Sequence, residues 1–264
     1  SETPSRFFFN PNPYLLSPLL NHKDYLLKIS KFEANYFWNN SKTENDTKNI
    51  HSFLWLNLID RKNDGRSLQK IIDVWMLKHS KYKRKVWESS VLSKRIISWI
   101  LNVDIILNNG SFYFKRNFLN SIIAQTNHLK KNIKFEKNYR KKLEILTALI
   151  LSGLVFKEYE DNFNLGLKEL EKLVKNYFDE DGFPLSRNPS ELTYSIKFFI
   201  LTKTCIKDAQ KYCPDFLEDL INKNLLCIKN ISTPNNQLPL FNGSVIEDLS
   251  EFEKFISELN YKSK

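Results

Sequence analysis

Glycine is scarce in this chain, six residues in 264, and closely spaced turn signals are few. A sandwich or barrel of short strands needs such signals at regular intervals, so both are excluded and packed helices are favoured. Cysteine is scarce too: Cys205, Cys213 and Cys227 are an odd set with no CxxC pair. That argues against a disulfide framework and against a zinc site. No apolar run reaches the roughly 18 residues of a membrane span. The longest, Leu143 to Phe156, is broken by Glu144 and Thr147, which predicts a soluble chain without a membrane span. There is no glycine-rich phosphate loop, no GxSxG elbow and no histidine and carboxylate cluster with metal-ligand spacing. Neither a cofactor nor an intrinsic metal is therefore expected.

What is abundant is apolar and basic. Hydrophobic residues make up 42% and aromatic residues 14%, enough in a chain of this length for a substantial core. The net charge of +10 admits an anionic partner such as nucleic acid, an acidic polysaccharide or a membrane surface. The excess is mostly scattered lysine, and its tightest runs, Lys81 to Lys85 and Arg140 to Lys142, read as solvated helix ends. No helix-turn-helix, RNP-like or zinc-finger pattern supports nucleic-acid binding.

Along the chain, Pro4, Pro11, Pro13 and Pro18 punctuate an irregular N-terminal segment, 1–49, with one helix from about His22 to Trp38 and a polar, mobile spacer from Asn39 to Asn49. From residue 50 on, apolar residues recur at three- and four-residue spacing near 51–62, 66–79, 89–108, 112–131, 137–157, 159–178, 190–211, 215–231 and 245–260. Short connections force successive helices antiparallel, giving hairpins that begin near 89, 137 and 190. Stacked hairpins close into an open superhelix or a curved toroid, and periodicity does not distinguish the two. With either closure, the connections 181–189 and 232–243 fall on one rim, because two antiparallel helices separate them.

The segment from Asp181 to Glu191 is the most informative. Asp181-Gly182 signals a turn, Asn188 an N-cap, Pro189 the first helical position and Glu191 the reciprocal partner of a capping box. Ser186 and Arg187 are left over, and an amide beside a guanidinium at a helix start is suited to holding a carboxylate. Elsewhere, Arg95 and Trp99 share a helix face, either lining a sugar groove or packing an arginine stem on an indole. Gln125 and His128 share a face as well, either donating to sugar hydroxyls or serving the core. Tyr194, one turn into the helix that Asn188 begins, offers a phenol or half-buried packing.

Leu54-Trp55 with Leu58-Ile59-Asp60, Asp73-Val74-Trp75, Arg95-Ile96-Ile97-Ser98-Trp99, Ser121 with Gln125 and His128-Leu129, Gly153-Leu154, Asp181-Gly182 with Ser186-Arg187-Asn188-Pro189, and Phe241-Asn242-Gly243 follow one another in order. Over roughly residues 50 to 245 this series resembles the heparinase II/III-like proteins of alphaproteobacterial type. The resemblance implies an all-α, incomplete (α/α) toroid over 50–264, joined in a longer bacterial parent chain, periplasmic or cytoplasmic, to a C-terminal β-sandwich. It implies a lyase that acts by β-elimination on a uronate-containing anionic polysaccharide such as a glycosaminoglycan. Asn188 and Arg187 would then be catalytic, gripping the carboxylate, with Arg95, Trp99, Gln125, His128, Ser186, Tyr194 and Asn242 binding substrate. Related lyases add a histidine after the asparagine, a tyrosine further on and a histidine from the sandwich. Here Pro189 follows Asn188, and Phe241-Asn242-Gly243 holds no tyrosine. The alternative is a non-catalytic α-hairpin scaffold for glycan or protein.

Overall fold

A computed structural model describes residues 4, 6–20, 33–39, 43–108, 110–245 and 249–261. Its helices are α1 (Ala34–Phe37), α2 (Glu44–Ser52), α3 (Gly65–His79), α4 (Ser89–Leu101), α5 (Val103–Leu107), α6 (Phe112–Asn132), α7 (Tyr139–Val155), α8 (Glu160–Lys175), α9 (Ser190–Asp208), α10 (Asp215–Ile231) and α11 (Ser250–Glu258). No strand occurs among the described residues, which hold one isolated bridge pairing Phe178 with Pro184.

The burial pattern sorts the long helices into two layers. Every residue of α7 from Leu143 to Val155 is buried, as is every residue of α4 from Val91 to Leu101 except Lys94. Helices apolar all round belong inside. By contrast, α8 buries only Asn162 and the stripe Phe163, Gly166, Leu170 and Val174, and α10 a similar stripe from Leu217 to Ile228. The inner row runs α2, α4, α7, α9, each packed on the next, with α6, α8 and α10 backing it. At the α7–α8 crossing two glycines permit contact that side chains would forbid. A Cβ on Gly153 would stand 2.2 Å from the Phe163 backbone nitrogen, and one on Gly166 would stand 2.6 Å from the Ile150 side chain.

Side-chain pairs fix the direction of the inner row. Lys141 meets Glu88, Lys94 meets Glu144, Arg140 meets Glu191 and Tyr139 meets Ser195, so the first two turns of each helix lie against the first two turns of the next. The helices α4, α7 and α9 are thus parallel, and their N-terminal ends gather on one rim. Residues 80–88, 133–138, 176–189 and 232–245 lie on that rim.

The periodic segments form helices close to where they are expected, with three differences. The helix expected over 89–108 breaks at Asn102, whose amide donates to Ser98 and Asn57 while accepting from Arg61 at 2.7 Å. The polar spacer contains helix α2 after all, because Thr43 and Asp46 close a reciprocal capping box. The helix expected over 51–62 is instead a 3-10 turn, Leu54–Leu58, entered through Phe53 at φ 60°. Of the helix expected from His22 to Trp38, residues 22–32 lie outside the described residues. Ahead of it a 3-10 helix, Pro13–Leu19, buries Leu15 and Leu16 against the core.

Candidate functional site

After α8 the chain folds back on itself through the Phe178–Pro184 bridge, with Asp179 Oδ1 accepting from the Phe183 amide at 2.8 Å. Arg187 then takes a left-handed conformation, φ 57°, uncommon for a residue with a side chain. Its guanidinium turns back to Asp179 Oδ2 at 2.8 Å and lies 5.7 Å from the Phe183 ring centre. Ser186 Oγ accepts from the Asn188 amide at 3.3 Å. Asn188 Oδ1 accepts from Ser190 N at 3.0 Å, and Pro189 already has helical angles, so Asn188 caps α9 as expected.

The other half of the expected capping box does not form. Glu191 sends both carboxylate oxygens to Arg140 Nε, at 3.0 and 3.1 Å. A charge-assisted pair outcompetes a bond to a neutral backbone amide.

The second loop closes over the first. Asn242 Nδ2 donates to the Arg187 carbonyl at 3.3 Å, Ser244 Oγ meets Ser190 Oγ at 2.9 Å, and the Val245 amide donates to Ser190 Oγ at 3.1 Å. Asn242 and Gly243 both take positive φ, 50° and 85°, which turns this loop tightly enough to reach Asn188. A Cβ on Gly243 would stand 3.6 Å from Asn188 Nδ2. The two connections therefore share the rim, as the helix count requires.

One turn into α9, Tyr194 donates its phenol to Glu144 Oε1, which also receives Lys94 Nζ at 3.2 Å. Arg140 lies 4.3 Å from the centre of the Tyr194 ring. Burial, followed by the Glu144 charge, pushes the phenol well above its ordinary value and makes it a donor, not a base. Glu144 is 1% exposed, and its Oε2 has no partner among the described residues. Beside this group a groove of about 290 Å³ is lined by Tyr194, Lys197, Lys94, Lys48 and Asn49.

Arg95, Trp99 and Gln125 lie elsewhere. Arg95 is 0% exposed and stacks 4.5 Å from the Trp75 ring centre. It donates to Gln125 Oε1 at 2.6 Å and to the carbonyls of His51 and Val86 at 2.8 and 3.1 Å. Trp99 sits edge-on to Phe53 and Trp75 in the same buried aromatic cluster. The packing alternative is thus the one the fold builds for Arg95 and Trp99. Together with Gln125 they support the rim from beneath and present nothing to solvent. His128 does reach the surface, at 5.6 and 5.3 Å from the ring centres of Tyr82 and Trp87. Burial and then Lys131 lower its pKa, so it is neutral at neutral pH.

Several participants were not singled out by sequence reasoning: Arg140, Glu191 as its partner, Lys94, Glu144 and Tyr82. Glu144 carried a signal, since a lone acid inside an apolar helical run is rarely buried without a partner. Among the described residues no group of three or more His, Cys, Asp and Glu is placed to hold a metal ion, and no helix is long and apolar enough to cross a membrane.

Fold and rim together define a helical toroid domain that gathers charged and amide side chains where its inner helices begin. The family model described as Heparinase II/III N-terminus matches residues 33–261, and the chain belongs to that family. No curated protein matches it in sequence. Solved structures that resemble it include the heparan sulfate lyase HepC of Pedobacter heparinus, 16% identical with a TM-score of 0.64, covering 86% of this chain and 39% of that one. The heparinase III BT4657 gene product is 18% identical with a TM-score of 0.66, covering 93% of this chain and 48% of that one. Another heparinase III is 15% identical with a TM-score of 0.64, covering 94% and 44%. At such identity the likeness is one of fold, that of an incomplete α/α toroid. The chain spans less than half the length of each of these three structures.

Proposed function

We propose that this domain binds a uronate-containing anionic glycan on its rim, as the helical part of a polysaccharide lyase acting by β-elimination. The observation that carries the reading is the joining of the two loops at Asn188, where the start of α9 and the Asn188 amide Nδ2 meet the second loop, beside Arg187, whose carbonyl Asn242 holds and whose guanidinium is more than half exposed. β-Elimination removes a weakly acidic proton beside a charged carboxylate, so the site must first neutralise that carboxylate. Asn188 and Arg187 are suited to this, with Arg187 exchanging Asp179 for the ligand. Ser186 and Asn242 brace Asn188 and Arg187, Tyr194, whose proton Glu144 holds, offers its phenol oxygen to a sugar hydroxyl, and His128 meets the glycan further along the rim. The base and acid would come from the remainder of a longer chain, as would the β-sandwich that the resemblance implies. The second reading, a non-catalytic scaffold, is favoured by Pro189 and by the missing tyrosine at 241–243.

The test compares Asn188→Asp with Asn188→Ser, both good caps, by thermal unfolding and by titration with a heparan sulfate oligosaccharide. Both variants should fold within about 1 kcal/mol of wild type. The Asp variant, which sets like charge against the uronate, should lose about tenfold or more in affinity. An Asp variant that binds as wild type does would leave Asn188 a cap and nothing else.

A further inference from the structure

A second cleft opens on the same rim, on the other side of Glu88 from the Tyr194 groove. It measures about 500 Å³, and its wall includes Tyr82, Arg84, Trp87, His128, Phe135 and Lys141. Tyr82 is 63% exposed and Phe135 69%, so neither ring is committed to the core. Trp87 is anchored beneath them by its indole, which donates to the His79 carbonyl at 3.0 Å. Lys134 Nζ lies 4.9 Å from the centre of the Phe135 ring. Between Lys78 and Lys85 the chain carries five cations and no acid. The two acids in the wall are engaged: Glu88 pairs with Lys141 at 2.6 Å, and Glu136 accepts from the Asn138 amide at 2.9 Å.

Each of these features suits a ligand that is at once ring-shaped, rich in hydroxyls and anionic. Aromatic faces pack on the C–H faces of a sugar, uncharged His128, Ser89 and Asn132 offer hydrogen bonds to hydroxyls, and the cations meet sulfate or carboxylate. Trp87 and Glu88 lead into α4 and Asn188 leads into α9, with α7 between them. The separation is two interaxial spacings, roughly 16–20 Å. We infer that the cleft is a second glycan subsite, taking a sulfated or carboxylated unit of the same chain whose uronate lies at Asn188. The inference rests on the reading of the rim as glycan-binding and adds a place and a set of residues to it.

The test titrates the full chain with a heparan sulfate octasaccharide by calorimetry, with thermal melting as the check on folding. Tyr82→Ala with Phe135→Ala should lose about tenfold in affinity at unchanged melting temperature. Arg84→Ala should flatten the dependence of log affinity on log salt by about one released counterion. Asn188→Asp serves as the parallel arm. If the aromatic double variant and Arg84→Ala bind as wild type does while Asn188→Asp binds poorly, the cleft is no subsite and the reading of Asn188 stands. If the aromatic variant is impaired and Asn188→Asp is not, the cleft stands and Asn188 falls. An oligothymidylate that binds as tightly as the glycan and is lost with the same variants would make the cleft a nucleic-acid surface and overturn the inference. No measurable binding of the octasaccharide by wild type would overturn both.

Discussion

Arg95 and Arg187 are two arginines in the same chain with opposite fates. Arg95 sits in the sector of α2, α3, α4 and α6, sealed among Trp75, Trp99, Phe53 and His51, with its guanidinium bonded to protein carbonyls and Gln125. Arg187 sits on the rim in a left-handed turn, more than half exposed, and holds the single carboxylate of Asp179. The difference teaches that an arginine and an indole at helical spacing share a face, while the rest of the fold decides what that face meets. Both residues belong to the same series of family-like motifs, yet one is sealed in the core and the other faces solvent.

The comparison is broken most directly at Arg95. Arg95→Ala leaves the acceptors at Gln125, His51 and Val86 buried without their donor, and should destabilise the protein by about 3–5 kcal/mol in urea unfolding. Arg95→Lys should recover little of this, because one ammonium cannot reproduce the planar fork. A loss below about 1 kcal/mol would mean that this sector opens to water far more than the packing indicates.

Acid is the next lever, and it acts on the same sector. His51 accepts from the Trp75 indole at Nδ1, and burial, followed by the charges of His79 and Arg95, lowers its pKa to about 3. Burial and then Lys83 lower that of His79 to about 4. Both folded values lie below the unfolded one, so the unfolded chain takes up protons first. The stabilisation is complete above about pH 6.5 and is lost as pH falls toward those folded values. His51 should contribute at most about 1.4 kcal/mol per pH unit, and the more accessible His79 less. Unfolding measured between neutral pH and pH 4 should show this slope, and His51→Gln should flatten it. A slope unchanged by His51→Gln would remove His51 as its source.

The smallest expected effect on stability sharpens the comparison from the other side. Arg187→Gly removes a surface ion pair but relaxes a left-handed residue, so stability should shift by less than about 1 kcal/mol. Affinity for a heparan sulfate oligosaccharide should fall nonetheless. Unchanged affinity would make Arg187 a loop brace for Asp179 and no more.

How much of this was legible in the sequence follows from how local each determinant is. The bounds of α10, 215–231, coincide with the periodic segment because Pro214 and the apolar stripe are local signals. The break at Asn102 depends on Arg61 and Asn57, both distant in sequence, and no periodicity reports it. At the rim, the cap by Asn188 and the meeting of the two loops were legible from residue types and from counting helices. The diversion of Glu191 to Arg140 was not, because that competition exists only once α7 stands beside α9. The burial of Arg95 was hidden for the same reason, since α4 is apolar nearly all round and spacing alone assigns it no outer face.

The parallel run of α4, α7 and α9 also dictates where this protein tolerates alteration. Segments 80–88, 133–138, 176–189 and 232–245 emerge at one end of the bundle, whereas 110–111, 156–159 and 209–214 emerge at the other. A dye or an affinity handle attached at Lys211 or Tyr212, both exposed, would sit an entire helix length from Asn188. The end away from the rim is therefore the one by which the molecule is best tethered to a surface or labelled.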